Sequence, residues 1–369
     1  TAFGSLRWRS GAGYLSVIAK PVTQSGGDML GEKLLTKMWE TLAKDGVGSL
    51  ASPWQIKREG KAHAEVRRDE LLMLAQAEVE ANLIKQGKKK LLPGGNLVDI
   101  QVTDFESNNE VDHLGRIEPT INLDEMTFKA DQQRKSDDLQ AEININKTIL
   151  MAEEELLRSK QEPSDRDVDP DWISRWRENA KNTKNEEVRR LWARTLAGEV
   201  KAPGAYSLRT LEFIKNLSQE EAIAISKLGQ FVIGNTLLKC KTLEDRGINF
   251  SFLLHMDDLG ILNGVQGGDV TGLEIKMSSR ETNKYSNVLI NRNRILLIES
   301  NDPKKELKLP VYQVSKIGVE VLSLGDFNAD EDYMRELGRL IKAKGFDVKL
   351  ALWLQTHVNQ GRFFNPEII

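Results

Sequence analysis

The chain has 369 residues, of which 40% are hydrophobic and 29% are charged, and its formal net charge is −3. This length predicts two or three domains. The nearly balanced charge argues against a protein that coats nucleic acid by bulk charge alone. The single cysteine, Cys240, excludes an internal disulfide, and the four histidines lack the spacing of metal ligands, so we expect no metal and no cofactor.

Cellular location is predicted from what the sequence lacks. No stretch reaches the roughly 18 uncharged apolar residues of a membrane-spanning helix. The apolar run from 14 to 19 is too short for a secretion signal. We therefore expect a cytoplasmic protein.

The first strong element is an amphipathic helix over residues 28–44. Its apolar face includes Leu34, Met38 and Trp39. Such a face packs on the protein's own core, or it docks on a partner or a membrane surface, and the sequence leaves both interpretations open. The mixed charge of the polar face weakens the membrane interpretation, because membrane helices favour a basic face.

Two long helices are predicted next, over residues 52–86 and 124–160. Between them, 91–123 is irregular apart from one or two short strands near Leu97 to Val102. Helices of this kind need to bury an apolar stripe, so we expect the two to pack on each other or on copies in an oligomer. The stripe of the first helix comprises Leu72, Ala75, Val79 and Leu83.

The block from 169 to 232 predicts a compact helical bundle. Tryptophans at helical spacing favour a core, and arginines interleaved with glutamates favour a salt-bridge network. The alternative is a face that binds phosphate or a partner. Arg209 is the best single candidate, because the helix dipole disfavours a positive charge in the first turn of its helix, and Glu199 and Glu212 are its expected partners. The candidate interaction residues are Trp172, Trp176, Arg190, Trp192, Arg194 and Arg209.

Beyond residue 245 the apolar pattern changes to short alternating stretches. A helix that ends at Gly260, a β-hairpin, a strand and a helix after Ser315 follow in the order typical of a winged-helix domain. A closing helix over 331–344 and a last strand over 346–353 complete the prediction. The expected recognition segment, 252–262, contains no lysine or arginine, which favours protein over DNA as its partner. The candidate nucleic-acid contacts lie in the hairpin and are Lys276, Arg280, Lys284, Arg292 and Arg294.

Catalytic motifs are absent from the sequence. It contains no phosphate loop, no dinucleotide-binding glycine motif and no nucleophile elbow. Adjacent acids such as Asp257 and Asp258 point in different directions on a helix, so they do not converge on a substrate. We therefore expect no enzyme activity and no small-molecule substrate.

One block of motifs resembles a known family. Its most distinctive parts are Asp171-Trp172, Leu191-Trp192-Ala193, Pro203-Gly204 and Ser207-Leu208-Arg209-Thr210-Leu211. The block is similar to an uncharacterised bacterial family, domain of unknown function 2806, and the resemblance extends over about residues 125–345. The family implies a bacterial, cytosolic protein and brings no activity or catalytic residue.

Together these patterns predict a mainly α fold with long N-terminal helices, a helical bundle and a C-terminal α+β winged-helix-like domain. The expected domains are 1–123, 124–245 and 246–369. The leading hypothesis is a non-enzymatic oligomeric adaptor or sensor that acts by protein–protein interaction, in bacterial stress or antiphage defence. The alternatives are a nucleic-acid-binding regulator that uses the hairpin and a membrane-associated effector that uses the first helix.

Overall fold

A computed structural model describes residues 4–7, 27–44, 63–92, 95–100, 123–159, 162–265, 273–357 and 360–369. Its internal contacts divide the chain into two compact units. Unit 1 contains Thr1–Leu34, Leu157–Arg166 and Lys201–Ile369, and unit 2 contains Leu35–Leu156 and Asp167–Val200. The three predicted domains, 1–123, 124–245 and 246–369, stay predictions.

Helices account for most of unit 2 and for part of unit 1. They are α1 (Gly27–Lys44), α2 (His63–Lys85), α3 (Leu123–Leu157), α4 (Pro170–Lys181), α5 (Glu186–Lys201), α6 (Leu208–Lys215), α7 (Gln219–Gly229), α8 (Lys241–Asp245), α9 (Phe250–Asp258), α10 (Lys316–Ser323) and α11 (Glu331–Ala343).

Strands lie mainly in the C-terminal part of the chain. They are β1 (Gly4–Arg7), β2 (Lys89–Leu91), β3 (Leu97–Asp99), β4 (Val232–Ile233), β5 (Thr236–Leu238), β6 (Leu262–Asn263), β7 (Glu274–Met277), β8 (Tyr285–Asn291), β9 (Arg294–Ser300), β10 (Leu307–Val314), β11 (Asp347–His357) and β12 (Gln360–Ile368).

Local capping signals set many of the helix ends. A capping box begins α7: Ser218 accepts from the Glu221 backbone N–H, and the Glu221 side chain accepts from the Ser218 backbone N–H in return. Ser315 caps α10 by accepting from the N–H of Gly318. Gly260, which follows α9, has a positive φ of 73°, as a helix C-terminus requires. The predicted start of the second helix at Ser52 lies outside the described residues.

The two long helices pack on each other, as predicted. Leu74 and Ala81 of α2 form an apolar cluster with Ile143 and Leu150 of α3. The buried hydroxyl of Ser136 donates to the carbonyl of Ala81 at 2.9 Å. This contact fixes the position of one helix along the other.

The stripe predicted from the sequence of α2 is not the side that packs on α3. Leu72 and Val79 are each 60% exposed, and Ala75 is exposed as well. The helix carries two apolar faces, and its buried face contains Leu74, Ala81 and Ile84. Periodicity reveals that such faces exist, but it does not show which one meets a neighbour.

Unit 1 contains two five-stranded sheets. The order of the first is β1-β12-β11-β9-β8, with every neighbour antiparallel. The order of the second is β4-β5-β10-β6, and β7 also pairs with β10. Tyr333 of α11 is buried, and its hydroxyl makes two hydrogen bonds to Leu238 at the end of β5. The hydroxyl accepts from the Leu238 N–H and donates to the Leu238 carbonyl, each at 3.0 Å.

The predicted fold class is wrong, because the chain is not a mainly α protein with one winged-helix domain. The β8–β9 hairpin is not a wing, since β9 pairs with β11 and places Leu296 opposite Leu350. The sequence predicts one last strand, whereas the structure has the long antiparallel hairpin of β11 and β12. That hairpin gives β9 a partner, and a curled sheet forms where a small wing was expected.

Candidate interaction surfaces

The three candidate tryptophans lie in the core of unit 2. Trp172, Trp176 and Trp192 are all buried, and Trp176 has no exposed surface. The indole Nε1 of Trp176 donates to the carbonyl oxygen of Trp192 at 2.9 Å, which ties α4 to α5. This placement supports the core interpretation of the tryptophans over the binding one.

The candidate arginines do not form one surface. Arg194 pairs with Glu155 of α3 at 3.3 Å, and Arg190 pairs with Glu186 of its own helix at 3.5 Å. Arg209 lies in unit 1 and is exposed. Within the described part of the chain its side chain makes no hydrogen bond or ion pair. One of its two expected partners, Glu212, pairs instead with Lys215 at 3.4 Å.

The apolar face of the first helix is covered. Leu34, Met38 and Trp39 are all buried. The indole Nε1 of Trp39 donates to a carboxylate oxygen of Glu153 at 2.8 Å in the interior of unit 2. The membrane hypothesis therefore lacks the exposed face that it requires. Among the described helices, none is long and apolar enough to cross a bilayer.

Several hairpin cations are already engaged within unit 1. Lys284 pairs with Glu299 at 2.7 Å, and Arg294 pairs with Glu331. Arg292 donates to the carbonyl of Leu322 at 2.6 Å, and its guanidinium lies 4.4 Å from the centre of the Phe327 ring. In these contacts the three cations stabilise the position of the hairpin within unit 1.

Strand β8 also separates the hairpin candidates. It has seven residues, which places Lys284 about 25 Å from Arg292. Arg280 is half-buried, and the burial lowers the pKa of its guanidinium. The predicted set therefore does not form a single nucleic-acid patch, although Lys276 is exposed on β7.

One surface found in the structure is the α2 stripe, which we define as Leu72, Ala75 and Val79. It is widened by Leu71 and Met73, which are 46% and 53% exposed. Contiguous exposed apolar surface of this kind marks an interaction site more often than scattered single residues do. The spacing was visible in the sequence, but its exposure was not.

A second surface is the lysine strip, which we define as Lys239, Lys276 and Lys308. Lys276 of β7 lies directly opposite Lys308 of β10, and both are exposed. Lys239 lies with its Nζ 4.2 Å from the centre of the Tyr312 ring. Neither Lys239 nor Lys308 was a sequence candidate, because their position depends on the register of distant strands.

The remaining polar clusters of unit 1 act as structural ties. The Glu336 carboxylate accepts from the backbone N–H groups of Lys241 and Thr242, at 3.2 and 2.7 Å, and so caps α8. Burial, and then the adjacent Glu336 charge, raise the pKa of the Cys240 thiol to about 12. That thiol stays protonated and unreactive at neutral pH. No group of three or more metal-ligating side chains occurs among the described residues.

Comparison with known proteins gives one match. Residues 129–243 match the family model described as Protein of unknown function (DUF2806). The match includes the whole motif block from which the resemblance was predicted, and it is shorter than the expected range 125–345. No curated protein and no solved structure matches the chain.

Proposed function

We propose that the chain, whose residues 129–243 match the DUF2806 family model of unknown function, is a non-enzymatic, cytoplasmic bacterial protein that assembles with copies of itself. The observation that carries the proposal is the α2 stripe. Leu72 and Val79 each keep 60% of their surface exposed on a helix whose other apolar face is already buried. Covering such side chains is favourable by about 25 cal/mol for each Å² removed from water.

A second copy of the chain suits the α2 stripe as its partner. If two α2 helices pair antiparallel about the point between Ala75 and Gln76, Leu72 of each copy meets Val79 of the other. Ala75 of each copy then meets Gln76 of the other at the crossing point, where the small Ala75 leaves room for the longer side chain. This is an isologous contact, the commonest kind in homodimers.

The charges along α2 also allow this pairing. In the antiparallel arrangement Arg68 meets Leu83, and Asp69 meets Asn82. No two like charges lie opposite each other over residues 67–84, and like charges on facing helices would oppose association. The arrangement therefore brings no like-charge repulsion into the contact over this range.

The proposed register can be tested by cross-linking. In a Cys240→Ser background, the pair Leu72→Cys and Val79→Cys should give a covalent dimer with a short bismaleimide at micromolar protein concentration. The reason is that the two thiols face each other across the twofold axis. Denaturing gel electrophoresis would measure the yield.

The matched control places two thiols on an exposed part of α3, as Arg134→Cys and Asp138→Cys in the same background. This control should give no covalent dimer on the denaturing gel, although it still assembles through α2. Equal dimer yields from the two pairs, or none from the α2 pair, would contradict the proposed contact.

A further inference from the structure

The β7–β10 pair brings two positive charges together. Lys276 and Lys308 are register partners on an antiparallel ladder, so their side chains lie on the same face. Like charges directly opposite each other destabilise a sheet. Within the described part of the chain neither lysine has an ion-pair partner. The pair is therefore unfavourable for folding alone, and an external anion would relieve the repulsion.

The same face continues towards a third lysine. The backbone N–H of Lys239 donates to the carbonyl of Pro310 at 3.0 Å, which places Lys239 beside the residue two positions beyond Lys308. Two residues of a strand span about 7 Å. The Lys239 ammonium lies over Tyr312, the next residue of β10 on this face. Three cations from β7, β10 and the residue after β5 therefore lie on one face of the sheet.

The local charge of this face is positive. Glu274 of β7 is exposed opposite Pro310 and is the acid nearest to the strip along that strand. Glu306, two residues before Lys308, is exposed as well, and the lysine strip keeps a net positive charge after both acids are counted. By contrast, Lys284 and Arg294 of the neighbouring hairpin already have carboxylate partners.

We propose that the lysine strip binds the phosphate backbone of a nucleic acid. Lysines act as point charges for phosphate, and phosphate contacts carry no sequence information, so we expect the binding to be independent of sequence. The cations lie at two levels of the sheet, at Lys308 and beside Pro310, about 7 Å apart. This separation suits successive phosphates of a polymer better than a single small anion. The Tyr312 ring is covered by Lys239 on one side, so we assign it no base-stacking role.

Fluorescence anisotropy of the full chain with labelled oligothymidylate tests this site. Binding should weaken as KCl rises from about 50 to 200 mM, with a slope of log K against log[KCl] near about −2 for three phosphates. The variant Lys276→Gln/Lys308→Gln should bind at least about tenfold more weakly at about 50 mM KCl. Its slope of log K against log[KCl] should be less negative by about 1.4, because two phosphate contacts are lost. Lys276→Arg/Lys308→Arg should retain binding, because its charge is unchanged.

The matched control is Lys304→Gln/Lys344→Gln, which removes the same charge from two other exposed lysines of unit 1. It should bind as the unmodified chain does. The proposal is overturned if oligothymidylate does not bind at about 50 mM KCl, or if the two glutamine variants bind equally well. It is also overturned if oligoglutamate competes as well as unlabelled oligothymidylate, since the strip would then be a site for acidic protein segments.

Discussion

Replacing Trp176 with alanine should lower the free energy of unfolding by about 3–5 kcal/mol. The side chain has no exposed surface, and its Nε1 makes the bond to the Trp192 carbonyl that joins α4 to α5. Truncation leaves a cavity in place of the indole in the interior of unit 2. It also leaves the buried carbonyl of Trp192 without its hydrogen-bond donor. Urea unfolding followed by far-UV circular dichroism would measure the loss.

Two further variants separate the effects of volume and hydrogen bonding. Trp176→Phe keeps most of the ring and loses the N–H donor, so it should cost less than the alanine variant. Arg175→Ala changes the exposed neighbour on the same helix and should stay within about 0.5 kcal/mol of the unmodified chain. A loss below about 1 kcal/mol for Trp176→Ala would mean that this residue is not part of the core, and it would revive the binding interpretation of the tryptophans.

Replacing Glu320 with alanine should be the most damaging single change in the polar interior of unit 1, with an expected loss of about 2–3 kcal/mol. Glu320 is buried on α10, and its Oε2 accepts from the backbone N–H of Ser207 at 2.7 Å. The same oxygen accepts from the hydroxyls of Ser207 and Thr210, at 2.9 and 2.5 Å. One carboxylate therefore caps α6 and binds it to α10.

The matched control for Glu320→Ala is Glu212→Ala, which removes an exposed carboxylate from an i,i+3 pair with Lys215. Surface pairs of this kind contribute little, so the control should lose no more than about 0.5 kcal/mol. Glu320→Gln should fall between the two, because it keeps an acceptor oxygen but not the charge. Equal urea midpoints for Glu320→Ala and Glu212→Ala would refute the capping role.

Features that depend on neighbouring residues were predictable from the sequence. The capping box of α7, the start of α10 at Ser315 and the end of α9 before Gly260 all follow from side chains within a few residues of the helix end. The motif block around Trp172 and Trp192 was sufficient to identify the family segment.

Features that depend on distant partners were not predictable. Because Leu296 of β9 pairs with Leu350 of β11, β8 and β9 belong to a five-stranded sheet and do not form a wing. The residues near Leu296 in the sequence do not predict this pairing. The same holds for Lys276 and Lys308, whose alignment rests on the β7–β10 register. The outward direction of the α2 stripe depends on which face of α2 meets α3, and both faces are apolar.

Light scattering on the full chain tests self-assembly through α2 most directly. The unmodified chain should have the mass of two chains at micromolar concentration. The variant Leu72→Glu/Val79→Glu should have the mass of one chain, because facing carboxylates repel in a contact that excludes water. Its circular dichroism spectrum should be unchanged. Ile223→Glu, a control at another exposed apolar residue on a helix, should remain dimeric. A monomeric unmodified chain, or a dimeric Leu72→Glu/Val79→Glu variant, would contradict the proposal.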